Sequence, residues 1–312
     1  MRVVRTVAEL RELVRAARAD GGTIGLVPTM GALHEGHLAL IAASAGRTTT
    51  TVVSLFVNPT QFGDASDLDA YPRTEDEDAR LAEAAGTDVL FAPPVDEVYP
   101  GGFATQVRVS GPLTERLEGA HRGPEHFHGV TTVVAKLLNM VAPDVAFFGQ
   151  KDAQQVLVVR RLVLDLDLPV RIEALPTVRE PDGLALSSRN VRLSADERAS
   201  AVALPRAIEA VLAALHAGVR DAATLLDAAH AVLAEAGLRA EYVAIVDPAT
   251  LEPRTAVDAP SLLALAVPVG PVRLIDNAPL SPVPSGTPAP TLAGLAAATA
   301  TPTAGPPSPE EG

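Results

Sequence analysis

The 312-residue chain contains no cysteine and no tryptophan, and aromatic residues make up only 3% of it. Without thiols there is no disulfide framework, no thiolate nucleophile and no cysteine-bearing metal site, a composition that fits a reducing, cytoplasmic setting. Lysine is nearly absent, with Lys136 and Lys151 the only examples. Positive charge is scarce overall: 25 Lys and Arg stand against 38 Asp and Glu, a net charge of −13. That balance disfavours nucleic acid or an anionic membrane as a partner, and leaves room for a local basic cleft that holds a small anion. No leader-like apolar core follows Met1, and no uncharged apolar run approaches the roughly 20 residues of a membrane span.

What the chain has is hydrophobic content, 47% of residues, enough for a sizeable core and a division into two domains. Its organising stretch runs from Ile24 to His37. An apolar run is broken by Pro28, Gly31 and Gly36 bracket the turn, and His34 and His37 lie three apart before Leu38, Leu40 and Ile41 resume. The pattern predicts a strand, a tight turn and a helix start. Such a turn sets backbone N–H groups and a helix N-terminus at the carboxyl edge of a parallel strand, where a polyphosphate can sit. A His-x-x-His spacing alone is compatible with two surface histidines; the Pro-Thr-Met-Gly lead-in and its place after the first strand turn the reading toward a nucleotide. Zinc is disfavoured because no third ligand lies nearby at metal-site spacing.

An amphipathic helix over residues 6–19 precedes this motif, and a β-branched run, Thr51 to Val57, follows it. That second strand ends in Asn58-Pro-Thr-Gln-Phe-Gly63, where the amides of Asn58 and Gln61 are suited to gripping a hydroxyl and a carboxylate. Thr74, with acidic residues behind it, reads as a helix N-cap with charges in the first turn; magnesium binding by those carboxylates is the lesser alternative. Residues 99–128 read as irregular, with His121, Arg122, His126 and His128 on either a cover over the site or a plain surface loop. A strand over 144–148 ends in Gly149-Gln-Lys-Asp-Ala-Gln-Gln155, where Lys151 offers a compact cation for phosphate and Asp152 an acceptor for ribose hydroxyls. Ser187, Ser188 and Arg189 can donate to phosphate oxygens. Past Ser194, alanine-rich helices alternate with three strand-like runs, a small α+β unit. Beyond Asn277 the chain carries nine of its 27 prolines and reads as a disordered Pro/Ala-rich tail, 278–312.

Five stretches, Pro28 to His37, Phe56 to Phe62, Tyr71 to Thr74, Phe147 to Gln155 and Leu186 to Asn190, together resemble the pantothenate synthetase (pantoate–β-alanine ligase) family in order and spacing up to about residue 277. The resemblance implies an α/β fold: a Rossmann-like nucleotidylyltransferase parallel sheet over 1–176, a smaller C-terminal α+β lid over 177–277, and a homodimer. It implies condensation of (R)-pantoate with β-alanine through a pantoyl adenylate, with Mg2+-bound ATP as co-substrate, and it names no metal-ligating residue. The ATP site it implies comprises Met30, Gly31, Ala32, Leu33, His34, Glu35, Gly36, His37, Gly149, Gln150, Lys151, Asp152, Val178, Leu186, Ser187, Ser188 and Arg189. His34, His37, Lys151 and Arg189 carry the chemistry, with His37 as proton donor. Gln61 and Gln155 bind pantoate, Gln61 also lies near β-alanine, and Asn58 and Arg122 support. The chain departs from the family pattern at Gln150, where an acid is frequent, and in a slightly longer His121-to-His128 segment, which leaves the role of Arg122 open. Rival readings are a sister nucleotidylyltransferase acting on a phosphate ester, which calls for more Arg or Lys at the acceptor side, and a nucleotide-sensing module, which need not keep His34, His37, Lys151 and Arg189 together.

Overall fold

The structure is a computed structural model that describes residues 1–63 and 68–282; the rest of the expected tail, 283–312, lies outside the described residues. Six strands form one sheet: β1 (Arg2–Val4), β2 (Ile24–Thr29), β3 (Thr50–Leu55), β4 (Val89–Phe91), β5 (Val145–Gly149) and β6 (Arg171–Leu175). Their order is β1-β4-β3-β2-β5-β6 and every pairing is parallel. The central strands are apolar on both faces, as a sheet covered on both sides requires. Ile24, Leu26 and Val27 of β2 and Val52 and Val53 of β3 are wholly buried, each side chain contributing on the order of 1.5–3 kcal/mol.

The covering helices are α1 (Val7–Ala19), α2 (Glu35–Ala45), α3 (Glu75–Ala84), α4 (Pro124–Val141) and α5 (Ala153–Asp165). The Thr6 hydroxyl and the Glu9 carboxylate close a reciprocal cap on α1, which buries Leu10 and Val14. Strand order reverses between β2 and β5, the switch point at whose carboxyl edge ligands bind in sheets of this kind. The opening has a local cause. β2 pairs with β5 only at Gly25 and Leu26, and Pro28, which has no N–H to donate, continues along β3 alone.

Residues 99–128 are more ordered than their glycine content suggested. They hold one-turn helices at Pro112–Glu115 and Glu118–Arg122, and α4 begins at Pro124, six residues before the apolar period becomes evident. Pro at the first helical position starts the helix without sacrificing a hydrogen bond. Thr74 also differs from expectation: its hydroxyl does not cap α3 but donates to the Asp78 carboxylate at 3.1 Å.

The C-terminal part contains α6 (Ala195–Ala201), α7 (Ala203–His216), α8 (Ala222–Glu235) and an antiparallel sheet, β7 (Tyr242–Val246), β8 (Ser261–Val269) and β9 (Val272–Leu280). It has its own core, from Leu184 to Leu280, separate from the one that Val4 to Leu162 build. The α6–α7 run, Ala195–His216, is apolar and long enough to cross a membrane by composition and length, but it bends at Val202 and buries Leu204, Ile208, Val211 and Leu215 in this core. The tail begins later than 278. Ala278 and Leu280 are each 1% exposed and pair with Leu263 and Ser261, because the strand pattern continues past the Asp276-Asn277 pair that interrupts its apolar appearance.

Candidate functional site

The carboxyl ends of β2, β3, β5 and β6 open into one cleft of about 590 Å³, roofed by the Leu186–Arg189 turn and by β9. It brings together Met30, His34, Gly36, His37, Asn58, Gln61, Arg122, Gly149, Lys151, Asp152, Gln155, Val178, Leu186, Ser187, Ser188 and Arg189. The three chain reversals near 30, 60 and 150 therefore meet, as their sequences predicted. Gly31, Ala32, Leu33, Glu35 and Gln150, expected with them, do not line the cleft. The N–H groups of Ala32 and Leu33 are turned away from it, onto Asp78 at 3.0 and 2.7 Å; Glu35 is exposed.

This turn is shaped by two left-handed residues, Gly31 (φ +87°) and Ala32 (φ +50°). A non-glycine residue is strained there, and Asp78, 1% exposed, supplies the compensating bonds. Sequence reading missed Asp78 by grouping it with the surface charges of α3. The available signal was its place four residues before buried Ala82, on the inward stripe.

His34 is the N-cap of α2, and its Nδ1 accepts the Gly36 N–H at 3.1 Å. The His34 N–H in turn donates to His37 Nδ1 at 3.3 Å, and the rings lie 4.2 Å apart. Both Nδ1 atoms accept, so each neutral ring carries its proton on Nε2. Burial, and then the nearby Lys151 charge, lowers the His34 pKa; burial, and then His34, lowers that of His37 to about 3. At neutral pH the pair is uncharged, with two N–H donors rather than two cations.

Gln61 is fixed by Asn58 and not the reverse. Asn58, 1% exposed, accepts from the Tyr99 hydroxyl at 2.8 Å and the Thr60 hydroxyl at 2.9 Å, and donates to Gln61 Oε1 at 3.1 Å and the Gly129 carbonyl at 3.2 Å. Its polar atoms are all committed, so it does not grip a ligand as its sequence context suggested. Gly129 is required here, since a Cβ would stand 2.3 Å from the Thr60 carbonyl oxygen. The Gln155 amide, in the first turn of α5, has no hydrogen-bond partner among the described residues.

The Lys151 turn is pinned from the other half of the molecule. Asn277, 5% exposed, donates to the carbonyls of Gln150 and Lys151 at 3.0 and 2.9 Å. Next to it, Asp276 receives both Arg179 Nη atoms at 2.7 and 2.9 Å. The Lys151 ammonium is 3.9 Å from Asp152. Around Arg189, Asn190 donates to Glu180 at 2.6 Å, and Glu180 is held by Arg198, so the turn that presents Arg189 is braced by its own ion-pair network.

A second network, unread in the sequence, centres on Glu118. This carboxylate, 8% exposed, receives Arg273 through two bonds at 2.8 and 2.7 Å, the Tyr242 hydroxyl at 2.8 Å and Arg122 Nε at 3.0 Å. Burial pushes its pKa up, but the Arg273 bonds and charge, with Arg122 and Tyr242, outweigh that and hold it at about 2. Arg122 is thereby positioned at the cleft wall, and its Nη atoms have no partner among the described residues.

The pantoate–β-alanine ligase family model matches residues 2–279. The chain belongs to the pantoate–β-alanine ligase family. It is 52% identical to a pantothenate synthetase of Rhizorhabdus wittichii over 285 residues, 91% of this chain and 100% of that protein. Among solved structures it is similar to pantothenate synthetase from Thermus thermophilus, with a TM-score of 0.84, 48% identity and coverage of 89% of this chain and 99% of the other. It also matches pantoate–β-alanine ligase from Francisella tularensis complexed with β,γ-ATP and β-alanine, with a TM-score of 0.73, 32% identity and coverage of 89% and 97%.

Proposed function

We propose that this cleft joins pantoate to β-alanine at the expense of ATP in two displacements. A carboxylate is a poor electrophile toward an amine; adenylation gives it a leaving group, and the amine then expels AMP. The observation that carries the reading is the convergence of His34, His37, Gln61, Lys151, Gln155 and Arg189 on one cleft at the carboxyl ends of the parallel strands.

The cleft is lined by donors suited to phosphate: the Nε2–H groups of His34 and His37, the Ser187 and Ser188 hydroxyls, and the cations Lys151 and Arg189. As pantoate attacks the α-phosphorus, charge builds on the departing pyrophosphate, and donors already fixed in place stabilise it without reorganisation. His37 and His34 act as neutral donors at the start of the step, and arrival of the triphosphate favours their protonated forms. Asp152, free of any strong hydrogen bond among the described residues, is the carboxylate that would hold a Mg2+ ion on the triphosphate, where the ion would neutralise phosphate charge.

The apolar side chains Val130, Val133, Val134 and Leu137 of α4 line the same cleft as the Gln61 and Gln155 amides. Those side chains suit pantoate's geminal methyl groups, while the two amides take its hydroxyls and carboxylate. Arg122, held by Glu118, is suited to the carboxylate of β-alanine. Residues 1–176 act as the nucleotide and pantoate half and 177–280 as the lid that keeps the acyl phosphate dry. A homodimer and a cytoplasmic setting complete the proposal, on the family likeness and the cysteine-free composition. The test is product stoichiometry: ATP, pantoate and β-alanine should yield pantothenate, AMP and pyrophosphate in equal amounts. ADP and orthophosphate as products would overturn the adenylate route.

A further inference from the structure

In the second displacement β-alanine arrives as an ammonium ion, since an alkylamine has a pKa of about 10. An ammonium has no lone pair, so some group must remove a proton before the C–N bond can form. Few groups in the cleft can. His34 and His37 present N–H, not lone pairs, because both Nδ1 atoms are occupied. Of the carboxylates that line the cleft, Glu118 and Asp276 are saturated by arginine, tyrosine or backbone donors, and Asp152 faces the Lys151 ammonium at 3.9 Å and is the group assigned to the ion on the triphosphate.

We propose that His126 is the base that takes this proton. His126 lies in the first turn of α4 and lines the cleft. Its Nδ1 is 2.8 Å from the carbonyl oxygen of Gln61. A carbonyl only accepts, so Nδ1 bears the hydrogen and Nε2 bears the lone pair, the opposite tautomer to that of His34 and His37. Nε2 has no partner among the described residues. The side chain is half-buried and borders the cleft. The Nδ1 contact ties the base to Gln61, whose amide serves pantoate.

The charged groups around the ring are Arg122 and Glu118 from the preceding one-turn helix and Asp152 at the start of α5. Burial, and then Arg122, lowers the pKa of His126, which keeps the ring an acceptor at neutral pH. In the step, an ammonium N–H bond breaks and its electron pair stays on nitrogen while the proton goes to Nε2. The amine pair forms the C–N bond at the pantoyl carbonyl, and the C–O bond to phosphorus breaks with its pair leaving on AMP. The surplus proton on nitrogen leaves with the AMP phosphate, and the imidazolium returns its proton to solvent.

The inference rests on the two-step reading, and the experiment separates the two. His126→Asn retains an amide N–H for the Gln61 carbonyl but has no base; His126→Ala removes both. Each is assayed for pantoate-dependent ATP–pyrophosphate exchange and for single-turnover conversion of pantoyl adenylate by β-alanine or by hydroxylamine, an amine already unprotonated at neutral pH. The expected result for His126→Asn is exchange and hydroxylamine conversion within about threefold of wild type, with the β-alanine rate lower by about 10²–10⁴, the range for losing a general base. An unchanged β-alanine rate, an equal fall with hydroxylamine, or a parallel loss of exchange in both variants would overturn the role of His126. Absence of exchange in the wild type would instead overturn the two-step reading.

Discussion

The Asp78 carboxylate accepts the backbone N–H of Leu33 at 2.7 Å across 45 residues of sequence. With the Ala32 bond beside it, this contact fixes the left-handed turn that leads into α2, whose two histidines line the cleft. Asp78→Ala leaves two N–H groups without acceptors, at about 1–3 kcal/mol each where they are buried. The expected outcome is a lower urea midpoint and a raised KM for ATP. Full retention of both would show that the turn holds itself.

His37→Ala should lower pantoate-dependent exchange by roughly 10²–10³, the scale for one transition-state donor. A fall smaller than about threefold would remove His37 from phosphate stabilisation.

How the site is assembled was legible at the level of strand ends and not at the level of what supports them. Pro28, Asn58 and Gly149 announce turns after apolar runs, and parallel strands bring such turns to one edge, so the meeting of His37, Gln61 and Lys151 followed from local pattern plus topology. Asp78, Glu118 and Asn277 act by reaching across 45, 155 and 126 residues to Leu33, Arg273 and Lys151. No local spacing encodes such a partner. Asn58 shows the same limit from the other side, since its residue type was right for ligand binding but its atoms are used by Tyr99, Thr60, Gln61 and Gly129.

The pH dependence of stability should carry two separate acid-side signatures. His37 is depressed in the folded state to about 3 from an ordinary 6.5, so the unfolded chain binds a proton that the folded chain does not. Its contribution is complete above 6.5 and is lost as pH falls toward 3. Glu118 is depressed from 4.5 to about 2, so its contribution is complete above 4.5 and is lost as pH falls through 2. Urea midpoints between pH 7 and 5 should therefore drop less in His37→Gln than in wild type, while Glu118→Gln should flatten only the region below 4.5. Identical slopes for wild type and both variants would contradict the burial assigned to His37 and the arginine and tyrosine contacts assigned to Glu118.

Because Ala278 and Leu280 are buried in β9, a chain ended after Asn277 should lose thermal stability relative to one ended after Pro282. Loss of the buried Leu280 side chain alone should cost about 1.5–3 kcal/mol, readable as a lower melting temperature. Equal melting temperatures would show that the strand ends earlier.

The central claim is that one cleft activates pantoate before β-alanine takes part, and isotope exchange between pyrophosphate and ATP measures it most directly. With pantoate and Mg2+ present and β-alanine omitted, labelled pyrophosphate should appear in ATP, and omitting pantoate should abolish the signal. Exchange that requires β-alanine, or that proceeds without pantoate, would contradict the account.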